Sequence, residues 1–189
     1  DDIDPALIEG AAVVYLEGYL FDLEQARAAF AKAAGLAHAN SRTIAFTLSD
    51  SFVVERHRAA LRGFIQTQVD LVFANEAELL ALYETDDFDA ATAALSKDTN
   101  LAAVTRGAAG SVVVAGDRRV QIKAAPVQKV VDTTGAGDQY AAGFLFGLAQ
   151  GKSFEVCGQL GSLAAAEVIA HYGPRPQESL KALAAANGL

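Results

Sequence analysis

The chain has 189 residues, 52% of them hydrophobic, with only four prolines. This suits one packed core, is read as a single domain over residues 1–189, and argues against a disordered or fibrous polypeptide. Its formal net charge is -8, and seven acidic residues precede the first basic one, Arg27; this argues against nucleic acid and anionic membrane as partners, since both are held by clustered cations.

Short apolar runs alternate with longer amphipathic ones along the whole chain. Residues 11–18 (AAVVYLEG) predict a buried strand, and 22–39 a helix with Asp22 as its N-cap. A strand over 43–48, a helix over 51–68 and a strand over 70–75 (DLVFAN) follow. A short helix EAELLALY comes after Asn75, then a helix from Asp87 to Lys97 and a strand over 101–106. Residues 111–122 (SVVVAGDRRVQI) predict a hairpin about Gly116-Asp117, and helices are expected over 137–150, 153–170 and 177–186. Repeated strand–helix units with near-continuous apolar strands predict an α/β fold, a mostly parallel sheet covered by helices on both faces.

Cys157 is the only cysteine, so no internal disulfide can form, and a cytoplasmic setting is expected. It reads as core filler. No uncharged apolar run reaches about 18 residues, and no secretory leader opens the chain. The sequence lacks methionine and starts DDIDPALIEG, so an upstream portion is expected to have been removed. His38 and His57 fall in predicted helices, with no cysteine or carboxylate at zinc-site spacing.

The segment Asp132-Thr133-Thr134-Gly135-Ala136-Gly137-Asp138 lies between a β-rich stretch and a long helix. Glycines there let successive N–H groups converge at a helix N-terminus, where unpaired donors and the helix dipole favour phosphate. A carboxylate in the first turn can take a proton from an attacking hydroxyl. It can also be a capping acid worth under about 1 kcal/mol, and a Gly-x-Gly-Asp tetrapeptide alone favours that capping reading. Asn75 and Glu78, at the end of a strand, suit a hard, water-keeping cation such as magnesium and equally suit a capping box.

DTTGAGDQYAAGFLFG (132–147) closely resembles the signature of the ribokinase-like, or pfkB, kinases. The resemblance implies a three-layer α/β/α fold and phosphoryl transfer from MgATP to a hydroxymethyl group of a sugar or nucleoside. Asp138 would be the general base, and the backbone of Gly135, Ala136 and Gly137 the anion hole. Asn75-Glu76-Ala77-Glu78 resembles the family's Asn-x-x-Glu motif, which implies Mg2+ held by Asn75 and Glu78 through water. VTRGAAGSVVV (104–114) resembles the turn beside the nucleotide and implies ATP contacts at Thr105, Gly107 and Gly110, with Thr134 added from the signature; a plain β turn is the competing reading. AAAEVIAHYGPRP (164–176) resembles the helix and loop that flank adenine; His171 departs from the family pattern there, and is read as a nucleotide contact with a surface or capping role as the competing reading. Asp132 is the family's candidate for a monovalent cation, K+.

VVYLEGYLF, FTLSDSF and DLVFANEAE look most like adenosine kinases and bacterial sugar kinases; otherwise Glu17, Tyr19 and Asp50 merely decorate strand ends. The resemblance implies that this is the C-terminal portion of the kinase domain, without the first strands and the lid, and inactive by itself. The full-length protein is compatible with a homodimer. Two other functions compete: a non-catalytic nucleotide- or metabolite-binding regulator, and a reductase with a dinucleotide fold. No G-x-G-x-x-G follows the first strand, which weighs against the reductase.

Overall fold

A computed structural model describes residues 3–189. Six strands form one sheet in the order β1-β2-β3-β4-β5-β6, with β1 Val13–Glu17, β2 Thr43–Thr47, β3 Leu71–Asn75, β4 Leu101–Thr105, β5 Ser111–Ala115 and β6 Arg118–Ile122. Strands β1, β2 and β3 are parallel, with Glu17 opposite Thr47 and Thr47 opposite Phe73, so their carboxyl ends share one edge. Adjacent strand residues point to opposite faces. Ile44, Ala45 and Phe46 are all fully buried, as are Leu71 and Val72 nearly so; both faces of β2 and β3 are therefore covered, as the unbroken apolar runs require.

The helices are α1 Pro5–Gly10, α2 Glu24–Ala39, α3 Ser51–Gln68, α4 Glu76–Tyr83, α5 Phe88–Asp98, α6 Ala136–Ala149, α7 Phe154–Val168 and α8 Leu180–Ala186. Among the described residues no helix is long and apolar enough to cross a membrane. Short polar side chains set several starts. Asp50 accepts from Phe52 N to open α3, Asp87 from Asp89 N and Ala90 N to open α5, and Ser153 from Val156 N to open α7.

The start of α2 differs from the sequence reading. Gly18–Asp22 winds into a 3-10 turn, Leu23 is the N-cap, and Asp22 caps nothing. Its carboxylate instead accepts from Arg56 Nη2 at 2.7 Å and from His57 Nε2 at 2.7 Å. These hydrogen bonds hold it below the usual carboxylate range. His57 leaves helical geometry to reach it, with φ -121° and ψ 16° inside α3. Helix α1 was not expected either, although Asp4 at its N-cap and Pro5 at its first position are a start signal.

The chain divides into two compact units. One comprises the residues up to Ala103 with Val114–Asp117, the other Val104–Val113 and Arg118–Leu189. The first centres on Phe21, Phe30, Phe46 and Phe64, whose rings meet at 5.5 to 6.4 Å, within the range of favourable aromatic pairs. In the second, glycines bring α6 and α7 into backbone contact. A Cβ at Gly143 would stand 2.5 Å from Leu160 O, and one at Gly161 2.7 Å from Tyr140 O. Cys157 is fully buried in that interface's helix, as core filler should be.

Candidate functional site

In the first unit the polar side chains gather where the parallel strands end. Glu17 closes β1, Ser49 and Asp50 follow β2, and Asn75 closes β3. Ser49 Oγ donates to Glu17 Oε2 at 3.1 Å. Asn75 and Glu78 form a reciprocal cap: Glu78 N donates to Asn75 Oδ1 at 2.8 Å, Asn75 N to Glu78 Oε2 at 2.9 Å, and Asn75 Nδ2 to Glu78 Oε1 at 2.7 Å. The capping reading is therefore realised. Both Glu78 oxygens are occupied and the residue is 6% exposed, whereas Asn75 lies at the surface.

Burial pushes the Glu78 carboxyl up to about 7; the Asn75 N–H opposes the shift, and the Asp50 and Glu17 carboxylates add to it. A carboxyl whose folded pKa exceeds its unfolded value of 4.5 binds its proton more tightly in the folded state. Its stabilisation is thus complete below pH 4.5 and is lost as pH rises through 7. At about 1.4 kcal/mol per pH unit, the loss is about 3 kcal/mol. Urea denaturation of wild type and Glu78→Gln across this window should show the wild type losing about that much relative to the variant by pH 8. A stability difference independent of pH would contradict the shift.

In the second unit, α6 starts at the glycine-bearing turn. Gly135 is its N-cap, in the left-handed conformation at φ 78°, and no side chain caps the helix. The N–H groups of Gly137 and Asp138 have no acceptor among the described residues. Asp138 is exposed in the first turn. Unpaired donors and the positive end of the dipole meet there, so the turn can receive an anion with a carboxylate alongside.

A loop over residues 171–178 braces this turn. Asp132 Oδ1 accepts from Thr134 N at 2.9 Å and Oδ2 from Gly173 N at 3.2 Å. These bonds, led by Thr134, hold the Asp132 carboxyl below its ordinary range. Gln139 Nε2 donates to Pro174 O, and a Cβ on Gly135 would lie 2.5 Å from Pro174 Cβ. Glu167 Oε1 ties down the far end of the loop, accepting from Gln177 N at 2.8 Å and Glu178 N at 3.0 Å.

Thr105 ends β4 and leads into a 3-10 turn at Gly107–Ala109. Gly107 is exposed, with φ 55° and nothing within 4 Å of a built Cβ, so open space lies above it. Gly110 is buried at φ 87°; a Cβ there would stand 2.0 Å from Ile122 O. Its lack of a side chain serves packing against β6. His171 lines a pocket of about 420 Å3 with Val127, Lys129, Val131, Leu163 and Ala170, and its Nε2 donates to Glu167 Oε1 at 3.3 Å.

Asn75 and Glu78 thus fall in the first unit, and Thr105, Gly107, Gly110, Asp132, Thr134 to Asp138 and His171 in the second. Sequence reading passed over Glu167, although a carboxylate four residues before His171 in an Ala-rich helix is a signal. It also paired neither His38 with Asp70 nor His57 with Asp22, partners more than 30 residues apart. Among the described residues no three His, Cys, Asp or Glu side chains are placed to hold a metal ion.

The model of the pfkB family of carbohydrate kinases matches residues 2–180. An uncharacterized sugar kinase of Archaeoglobus fulgidus is 44% identical over 102 residues, which cover 53% of this chain and 40% of the relative. The structure of an adenosine kinase from Sinorhizobium meliloti is 51% identical at a TM-score of 0.95, covering 100% of this chain and 57% of that one. That of a probable sugar kinase from Rhizobium etli is 45% identical at a TM-score of 0.97, covering 99% and 57%. The chain spans about half the length of the relatives it matches.

Proposed function

Since this chain belongs to the pfkB family of carbohydrate kinases, we propose that the whole protein transfers the γ-phosphoryl group of MgATP to a hydroxymethyl group of a nucleoside or sugar, with Asp138 as general base. The observation that carries the reading is the uncapped N-terminus of α6, with unpaired amides and an exposed aspartate in one turn. The likeness to the S. meliloti adenosine kinase favours a nucleoside acceptor over a free sugar.

Phosphoryl transfer asks the protein for positioning and charge stabilisation more than for covalent chemistry. The unpaired amides of Gly137 and Asp138 in the turn that opens α6 hold the transferring group, and the Asp138 carboxylate takes the proton from the attacking hydroxyl. Gly107 leaves its side of the turn after β4 open for ribose or phosphate, with Thr105 and Gly110 close by in the chain, and Thr134 adds a hydroxyl from the turn that opens α6. The pocket lined by Val127, Leu163 and His171 is apolar enough to take the adenine ring. Magnesium, when bound, would neutralise phosphate charge. Both oxygens of Glu78 already accept hydrogen bonds, so Asn75 and Glu78 suit a metal reached through water and not one ligated directly. Asp132, held ionised by its N–H donors, is the residue that would face a monovalent cation such as K+.

A screen of adenosine, ribose, fructose and ketogluconate for ATP consumption by the full-length protein tests this reading, with adenosine expected to turn over best. Tight nucleotide binding with no turnover of any acceptor would replace it with the non-catalytic regulator.

A further inference from the structure

We infer that the buried hydrogen bond between Ser111 and Tyr140 is a positioning strut that fixes the turn at Gly107–Gly110 relative to the first turn of α6. The inference rests on the kinase reading above. Tyr140 lies two residues beyond Asp138 on α6, and Ser111 directly follows Gly110 at the head of β5. Their oxygens are 2.7 Å apart, and the residues are 3% and 1% exposed. The strut therefore joins the two segments to which the kinase reading gives the donor nucleotide and its transferring phosphoryl group.

Neither end of the strut can drift. Gly110 is locked by its own backbone, with Arg106 N donating to Gly110 O at 2.7 Å and Ile122 O filling the space of any side chain. Tyr140 is seated against α7, where the missing side chain of Gly161 leaves room for its ring at 3.2 Å from the Cβ position. Its ring stacks on Phe144 at 6.4 Å. Phenylalanine would fill the same volume, so packing alone does not call for the hydroxyl. Burying a phenol is unfavourable unless it is bonded, and this one has a single buried partner in a fixed place. Burial pushes the phenol up to about 12, so the strut is neutral and intact across the working pH range.

In-line transfer is sensitive to the spacing of donor and anion hole, where a misplacement of about 1 Å can cost about 10²-fold. The test compares Tyr140→Phe, Ser111→Ala and the double variant in the full-length protein. It reads kcat, KM for ATP and for the acceptor, affinity for a non-hydrolysable ATP analogue, and melting temperature. Each single variant leaves one buried hydroxyl or its cavity unpaired and should melt lower. The double variant removes both partners and should recover most of that loss. Turnover should fall about tenfold or more in all three, with the acceptor KM within about twofold of wild type. If kcat in the double variant returns to the wild-type value along with stability, the bond is structural only and the inference is overturned while the kinase reading stands. A wild type inactive toward every acceptor overturns both.

Discussion

Asp138→Asn in the full-length protein should lower kcat by about 10²- to 10⁴-fold while leaving MgATP affinity and melting temperature close to wild type. Asp138 is exposed and makes no hydrogen bond among the described residues, so an isosteric amide disturbs no packing. What it loses at the helix end is a dipole interaction worth less than about 1 kcal/mol. The competing view, in which Asp138 only complements the helix dipole, predicts the reverse pattern, with a small stability loss and unchanged turnover. The two differ by about 3 to 5 kcal/mol in activation free energy, far beyond the spread of replicate kinetics. A calorimetric titration with MgATP and a steady-state assay on the same preparation decide between them, and full turnover in the variant would remove Asp138 from the mechanism.

The elements most legible in the sequence were those whose signals are local. Helices α3 and α4 occupy the residues expected of them because Asp50 and Asn75 accept from amides two and three residues ahead. The hairpin formed about Gly116-Asp117 because Gly116 can take φ 56°. The kinase signature was legible because the turn, its glycines and Asp138 are contiguous. What stayed hidden depends on partners far along the chain. Asp22 resembles a helix cap until Arg56 and His57 claim its oxygens. Glu167 resembles a surface acid until the loop over 171–178 folds back onto it, leaving its Oε2 buried with no partner among the described residues. Gly110 shows no sign in the sequence of its packing partner, β6, whose Ile122 O takes the place of a side chain. In each case the residue type was readable and its role was not, since a side chain's chemistry is set by what folding places against it.

Gly135→Ala should be a damaging single-methyl change at the start of α6, for two independent reasons. The residue sits at φ 78°, where an L side chain costs about 1 to 2 kcal/mol. The added Cβ would also lie 2.5 Å from Pro174 Cβ, closer than carbon atoms can approach, so either the turn or the loop must move. The loop is tethered at three points: by Asp132 to Gly173, by Gln139 to Pro174, and by Glu167 to Gln177 and Glu178. Moving it breaks several bonds, so the turn is the part that yields, and its amides swing away from the phosphoryl position. Loss of one well-placed anion donor costs about 10²- to 10³-fold in kcat, and a fall of that size is expected here with a lowered melting temperature. Gly137→Ala is the informative contrast for stability. Nothing lies within 4 Å of its built Cβ, and alanine is the better helix former by about 1 kcal/mol, so its melting temperature should match or exceed wild type. A Gly135→Ala protein with wild-type kcat would show that these amides do not hold the group being transferred.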